Sequence, residues 1–111
     1  MTLNTLKNAI LEACLNLWHY TAPNNAQVPY AVWAEDQRFD FEANGKHAEH
    51  AWQGTLDYFT RTENDLEVQN IEEALDSIPI GWRLNSIQYE EDTGVIHYEW
   101  VWNLYGTNDL E

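Results

Sequence analysis

Residues 82–90 and 95–102 read WRLNSIQYE and VIHYEWVW, and the four residues between them read EDTG. Both runs alternate apolar or aromatic side chains with polar ones. Such period-2 alternation on either side of an acidic, glycine-bearing turn is typical of an antiparallel β-hairpin. One side of the second run carries Ile96, Tyr98, Trp100 and Trp102, whereas the other carries Val95, His97, Glu99 and Val101. We therefore predict that one aromatic face of this hairpin is buried.

Two stretches upstream of the hairpin show helical periodicity. Between residues 3 and 18 apolar side chains recur with a 3.6-residue period, and Thr2 is placed to cap the helix. A second helix is predicted from Asn64 as N-cap, with Glu67 three residues later as in a capping box, up to a stop at Pro79 and Gly81. Its apolar stripe consists of Val68, Ile71, Leu75 and Ile78.

Two further strands and an unpatterned stretch lie between these helices. Residues 30–34 form a predicted strand that opens after Pro29, and residues 51–60 form another, with Trp52, Leu56 and Tyr58 on one face. Residues 35–50 show no periodicity, so we interpret them as a long loop with a brief extended piece at residues 39–41. Loops of this length in a small domain often carry function.

The predicted elements follow one another in the order α-β-β-α-β-β. The sequence therefore predicts a single α+β domain over residues 1–105, with two helices packed on an antiparallel sheet of about four strands. Residues 106–111 are predicted to form a polar C-terminal tail. A sheet of this size has open edges, which must be covered, charged or paired with a neighbouring copy.

The composition limits the kinds of partner. The chain of 111 residues carries 5 basic and 19 acidic groups, for a formal net charge of −14. This charge repels phosphate backbones and anionic membranes, and it favours basic partners. We find no leader pattern and no apolar run near the ~20 residues of a membrane span. The sequence therefore predicts a protein made and kept in the cytoplasm, with no membrane partner.

The metal-ligand and cofactor patterns in the chain are weak. His47, Glu49 and His50, with Asp40 or Glu42 nearby, are close in sequence, but the paired Cys and His spacings of a structural zinc site are absent. The single cysteine, Cys14, lies on the first helical stripe and is predicted to be a small buried side chain. Glycine-rich phosphate loops are absent too. We predict no metal and no cofactor.

Two pairs of side chains are candidate catalytic groups. Glu35 and Asp36 follow a strand end, and a sugar hydrolase uses such a carboxylate pair, with Trp33 as a stacking platform. His97 and Glu99 lie two residues apart on one strand face and form a candidate polar pair. Because 19 acidic residues bring carboxylates beside aromatic rings by chance, we predict no catalytic residues and no enzyme activity.

Several segments resemble a known family. They are VPYAVWAED at residues 28–36, LDYFTR at residues 56–61, IEEAL at residues 71–75, and the paired strands with Tyr89-Glu90 and Tyr98-Glu99-Trp100. With the leading amphipathic helix, they resemble the small tail-completion proteins (tail terminators, head–tail joining proteins) of long-tailed bacteriophages and prophages. The resemblance extends over residues 3–104.

The resemblance implies a structural virion protein that caps the tail tube and joins the tail to the head. Such subunits form a ring, commonly a hexamer, and contact tail-tube and head-neck proteins. DNA passes through the bore without specific binding. The expected location is the virion tail, and the host bacterial cytoplasm during assembly. We predict that the subunit or partner contacts involve Trp33, Phe39, Phe41 and Phe59.

A second function fits the same composition. A small, strongly acidic domain can imitate the charge of DNA and inhibit a host nuclease or a restriction/modification enzyme. Such an inhibitor titrates a basic DNA-processing enzyme and needs no ring, so binding experiments distinguish the two hypotheses.

Overall fold

The computed structural model describes residues 2–43 and 46–107, with only the backbone of residues 41–43, 46–49, 106 and 107. The elements are α1 (Leu3–Ala13), β1 (Leu17–His19), β2 (Tyr30–Ala43), β3 (Lys46–Thr60), α2 (Leu66–Asp76), β4 (Gly81–Glu90) and β5 (Val95–Thr107). The strands form one sheet in the order β1-β2-β3-β5-β4. Strands β1 and β2 are parallel, and the other neighbouring pairs are antiparallel. Within the described residues, neither helix has the length and apolar character needed to cross a membrane.

The prediction of about four antiparallel strands in the order α-β-β-α-β-β was wrong, because a fifth, parallel strand follows α1. The first helix ends at Ala13 rather than at residue 18, and Cys14 has extended backbone angles. The Asn16 carboxamide donates to the carbonyl oxygens of Gln27 and Pro29 and so fixes the chain beside β2. The apolar residues that follow fit the alternation of a strand as well as the period of a helix.

The prediction of a long loop at residues 35–50 was also wrong. These residues extend β2 and β3 into one long hairpin, and we call its outer part, residues 35–43 and 46–53, the arm. One extra residue, Asp36, lies opposite no partner between the pairs Glu35–Gly54 and Gln37–Gln53. Side chains at residues 36–40 are exposed, so no apolar alternation marks them as a strand. The arm contributes to an elongated molecule of 54 × 26 × 22 Å.

The ends of the helices follow from their capping side chains. Thr2 caps α1 as predicted, in a capping box with Thr5. The N-cap of α2 is Asp65 rather than Asn64, which instead has a positive φ of 53°. The Asp65 carboxylate accepts hydrogen bonds from the Glu67 amide and from the Tyr58 hydroxyl. The cap therefore ties the start of α2 to strand β3.

Both helices pack on one face of the sheet, which we call the covered face. The predicted aromatic side of β5 lies there, and the predicted hairpin of β4 and β5 is confirmed. The indole of Trp100 donates to the Glu72 carboxylate at 2.9 Å, and that of Trp102 donates to the Thr55 carbonyl at 2.9 Å. Both rings are thus fully buried with their N–H groups satisfied. Cys14 is buried in the same core, as predicted, and burial raises the pKa of its thiol.

The C-terminal boundary also differs slightly from the prediction. Strand β5 continues to Thr107, two residues into the predicted polar tail. Residues 108–111 of that tail lie outside the described residues.

Gly54 allows the close packing at the centre of the sheet. A Cβ atom at this position would lie 2.0 Å from the Ala34 carbonyl oxygen and 2.5 Å from Cζ2 of Trp102. Since the backbone of β2 and a buried indole are both hard to displace, we expect Gly54→Ala to destabilise the fold by more than about 3 kcal/mol. Urea unfolding followed by far-UV circular dichroism measures this change.

Gly81→Ala is the matched control for this substitution. The nearest atom to a Cβ at Gly81 is the Asn103 Cβ at 4.0 Å, an ordinary contact distance. We expect a change of less than about 1 kcal/mol. Equal unfolding free energies for the two alanine variants would contradict the packing described here.

Asp65 generates a second stability prediction. Besides Glu67, its carboxylate accepts from the hydroxyls of Tyr58 at 2.8 Å and Thr60 at 2.7 Å. Asp65→Ala leaves both hydroxyls without their acceptor, and we expect a loss of about 3 kcal/mol in unfolding free energy. Asp65→Asn keeps one acceptor oxygen and should cost less. A fully stable Asp65→Ala protein in urea titrations would contradict this role.

The same carboxylate predicts a dependence on acid pH. Burial alone would raise the pKa of Asp65, but the hydrogen bonds from Glu67, Thr60 and Tyr58 outweigh burial and lower it. The stabilisation is therefore complete above the ordinary carboxyl pKa of about 4 and is lost as the pH falls through the lowered value. The stability difference between the parent and Asp65→Asn should shrink on acidification.

Candidate functional site: the open face of the sheet

The second face of the sheet is lined by aromatic rings although neither α1 nor α2 covers it, and we call it the open face. Strand alternation and register place these residues there: Trp18, Tyr30, Val32, Phe39, Asp57, Phe59, His97, Val101 and Tyr105. Phe39 is 43% exposed and Tyr105 is 60% exposed. Solvated faces of antiparallel sheets are ordinarily polar. The open face is therefore the strongest candidate for a surface that contacts another molecule.

Three rings form a row across the middle of the open face. Tyr30 on β2 stacks on Phe59 on β3 with centroids 4.8 Å apart, and Phe59 stacks on His97 on β5 at 4.3 Å. These residues are direct register partners, so the pairing of the three strands brings the rings into contact. The row gives the open face a rigid apolar centre.

A hydrogen bond holds the last ring of the row. His97 Nε2 lies 2.7 Å from a carboxylate oxygen of Asp57 on the neighbouring strand. This bond raises the pKa of His97, partial burial opposes the rise, and the charges of Glu99 and Glu90 add to it. The predicted polar pair of His97 with Glu99 does not form, because Glu99 instead accepts from the Asn85 carboxamide. The His97–Asp57 pair orients the imidazole against Phe59.

A shallow cavity of about 350 Å³ lies over this row. Its floor is formed by Val32, Phe59 and His97, and the segment after β1 forms a rim at Thr21 and Ala22. A histidine bonded to a carboxylate is chemically able to accept a proton. The other lining residues combine Tyr30, Val32 and Phe59 with the polar Asp57 and Thr21, so the cavity offers both apolar and polar contacts to the side chain of a partner.

The carboxylate proposed for sugar hydrolysis has different neighbours from those the sequence suggested. Glu35 is bonded to the His19 imidazole, with an N–O distance of 3.0 Å, and accepts a hydrogen bond from the Tyr20 hydroxyl. The His19 ring lies between Tyr20 and Trp33, with centroids 4.0 Å from each. This cluster fastens the end of β1 to the edge of β2. Asp36 is exposed at the bulge of β2.

The candidate metal residues are brought together only in part. Asp40 and His50 face each other across the arm, with 2.7 Å between the carboxylate and Nδ1, and Arg38 also binds Asp40 at 2.8 Å. The side chains of Glu42, His47 and Glu49 lie outside the described part of the structure. In the part of the chain whose placement is described, no three His, Cys, Asp or Glu side chains converge as a metal site would require.

The four predicted contact residues are distributed over different environments. Phe39 and Phe59 lie on the open face, on the arm and on the body respectively. Trp33 is 3% exposed in the core, so it does not belong to the exterior of this fold. The Phe41 side chain lies outside the described residues. That these residues contact neighbouring subunits stays a prediction.

Sequence reasoning missed three residues of the open face. Trp18 was assigned to a helix, and Tyr105 lies beyond the strand as predicted, so neither was placed on a sheet. Alternation along residues 51–60 places Asp57 on the side opposite Trp52, Leu56 and Tyr58, but its pairing with His97 depends on strand order. Alternation along β3 and β5 indicates which side chains share a face of each strand. The register between the two strands is also needed to show that Asp57 and His97 meet.

No family model matches the sequence, and no curated protein matches it. Among solved structures the chain is similar to a protein from Akkermansia muciniphila, with a TM-score of 0.46 and 12% identity over 98% of this chain and 49% of that one. It is also similar to a protein from the same organism solved without its transmembrane region, with a TM-score of 0.43 and 12% identity over 98% of this chain and 54% of that one. The chain spans about half the length of these two structures.

The His97–Asp57 pair predicts a dependence of stability on pH. Because the folded-state pKa of His97 is raised, the extra stabilisation is complete below the ordinary histidine pKa of about 6.5 and is lost as the pH rises through the raised value. The difference in Tm between the parent and Asp57→Asn should therefore shrink from about pH 5.5 to about pH 8.5. Thermal unfolding at a series of pH values measures it.

Asp36→Asn is the charge-matched control, since Asp36 is exposed on the same sheet. Its Tm difference from the parent should not follow the titration of His97. An NMR titration in which the pKa of His97 is the same in the parent and in Asp57→Asn would contradict the assignment.

Proposed function

We propose that the chain is a structural phage or prophage virion protein that caps the tail tube and joins the tail to the head as a ring of identical subunits. The observation that carries the proposal is the open face, where aromatic rings lie exposed on both the body and the arm. The segments that resemble tail-completion proteins support the same conclusion. In this role the chain needs neither a cofactor nor a chemical reaction.

The exposed rings of the open face favour a protein partner. Phe39 and Tyr105 flank the buried Ala51 where the arm leaves the body. The row of Tyr30, Phe59 and His97 forms a second aromatic cluster further along β3, with Gln53, Thr55 and Asp57 between the two clusters. Exposed aromatic clusters with polar side chains around them are typical of surfaces that bind another protein. Aromatic side chains are also the ones that contribute most binding energy at protein interfaces.

The arm supports a ring rather than a two-fold dimer. It extends the hairpin of β2 and β3 to one end of the molecule, while the helices cover the body at the other. A projection that binds a different surface on the next copy makes a head-to-tail contact, and repeated contacts of this type close into rings when the rotation permits. We infer that the arm of one subunit lies against the body of its neighbour.

The charge fits a ring through which DNA passes. A net charge of −14 disfavours association of copies unless apolar contact offsets the repulsion and the carboxylates face outward or into the bore. A negative bore lets the duplex slide without binding, since it provides no cations for the phosphates. In the proposal the ring contacts tail-tube and head-neck proteins. Its location is the virion tail, and the host cytoplasm during assembly.

Electron microscopy of tail tubes from the phage or prophage that encodes the chain tests this function. We expect the parent protein to form a ring at one end of each tube. Phe39→Ser and Tyr105→Ser each remove an exposed ring from the open face and should lower the fraction of capped tubes at least about tenfold at limiting protein. Circular dichroism should show that both variants remain folded.

Leu15→Ser is the control, because Leu15 is 87% exposed in the segment between α1 and β1, outside the open face and the arm. It should cap tubes as well as the parent. Tubes that stay uncapped at saturating parent protein would overturn the proposal. One-to-one binding to a basic DNA-processing enzyme, without capping, would instead favour the DNA-mimic inhibitor.

A further inference from the structure

A second surface lies at the opposite edge of the sheet, between the start of α2 and strand β4. Its floor consists of Ile87 and Tyr89 on β4 with Ile96 and Tyr98 on β5. Three adjoining cavities of about 490, 320 and 500 Å³ lie along it: the first two share Glu63, Tyr89 and Ile96, and the last two share Asn64 and Tyr98. Together they form one open trough, which we call the α2–β4 groove.

The groove opens onto an unpaired strand. Strand β4 is the last strand of the sheet, so the backbone groups on its outer side have no strand partner in the described structure. Ile87 is 57% exposed and Tyr89 is 64% exposed along this edge. Exposed edge strands are usually protected by lysine, proline or a covering element, because their free N–H and C=O groups can pair with another chain. Strand β4 contains no lysine or proline; its one register shift lies at Asn85, and residues 86–90, which run beside the groove, pair regularly with β5.

The surroundings of the groove are acidic. Glu63 lines two of the three cavities and Glu72 lines the third, while Glu90 lies at the end of β4. The basic group among the lining residues, Arg61, donates from Nε to the Thr93 carbonyl. An apolar floor between carboxylates complements a segment that carries both apolar and basic side chains.

We propose that the α2–β4 groove binds an extended basic segment of a partner protein, which adds to the sheet as a further strand beside β4. Its apolar side chains lie on the floor at Ile87 and Tyr89. Its Lys or Arg side chains alternate with these and point to the opposite face of the sheet, where Glu90 lies, while Glu63 and Glu72 add to the negative field around the segment. Backbone hydrogen bonds to β4 supply affinity, and the floor and carboxylates supply selectivity.

Charge favours such a partner over a second copy of this chain, since two copies bring two net charges of −14 together without a compensating basic surface. The inference goes beyond the ring. The groove lies at the β4 edge, away from the arm and the open face, and binding there does not require assembly.

A synthetic peptide provides the test. The probe is the capped heptapeptide Lys-Ile-Lys-Val-Lys-Ile-Lys, titrated into the purified full chain at physiological salt with calorimetric detection. The comparison peptide has the same composition with the three apolar residues together at one end. We expect the alternating peptide to bind at least about tenfold more tightly, since only alternation places the apolar side chains on one side of a strand.

Substitutions of exposed groove residues locate the binding. The double variant Ile87→Ser with Tyr89→Ser keeps the net charge and should weaken binding at least about tenfold, and Glu90→Gln, on the side that the lysines face, should weaken it severalfold. Leu15→Ser and Glu12→Gln, exposed and remote from the groove, should bind as the parent does. On peptide binding, amide hydrogen exchange should slow at alternate residues of β4.

The inference is overturned if the alternating peptide does not bind, or if it binds no more tightly than the comparison peptide. It is also overturned if the groove variants bind as tightly as the parent, or if amide exchange in β4 is unchanged by the peptide. Protection of β4 that appears without peptide as the protein concentration rises would assign the edge to a second copy. The groove variants should still cap tail tubes, so a failure of peptide binding at the groove can be distinguished from a failure of the proposed capping function.

Discussion

The side chain of Trp102 crosses strand β3 at Gly54, a residue with no side chain to obstruct it. The indole then donates to the Thr55 carbonyl, so that a ring from β5 is fixed over the strand beside it. The β2 backbone comes just as near on the other side, at the Ala34 carbonyl. Three strands therefore depend on the absence of one methyl group. The helices pack on the surface that this arrangement creates, and the rings of the open face are aligned by the same strand pairing.

The aromatic rings on the two faces of the sheet lie in different environments. On the covered face, large rings remove apolar area from water while their indole N–H groups reach Glu72 and the Thr55 carbonyl. On the open face, rings stay accessible and are held in place by stacking and by the His97–Asp57 bond. A net charge of −14 opposes the association of like copies. This repulsion offsets the tendency of the exposed rings to associate.

Periodicity predicted the β4–β5 hairpin, both helices and the buried side of β5, because each of these buries one side against the core. Periodicity did not predict the parts of the structure that are not buried against the core. The arm is solvated, so residues 36–40 carry no apolar alternation. Leu17 satisfies both a helical stripe and a short strand, and the Asn16 carboxamide bonds that decide between them join residues far apart in the chain. The open face depends on strand order and register, which the sequence does not display locally.

The unpaired residue Asp36 changes which positions of β2 face each side of the sheet. Before it, Trp33 faces the core; after it, alternation is displaced by one position, and Phe39 lies on the open face. Deleting Asp36 would remove the bulge and leave Phe39 opposite Ala51, because the alternation of β3 continues through this region and sets the two faces of the outer hairpin. The bulge thus accommodates one additional residue in β2 without moving Phe39 to the other side of the sheet.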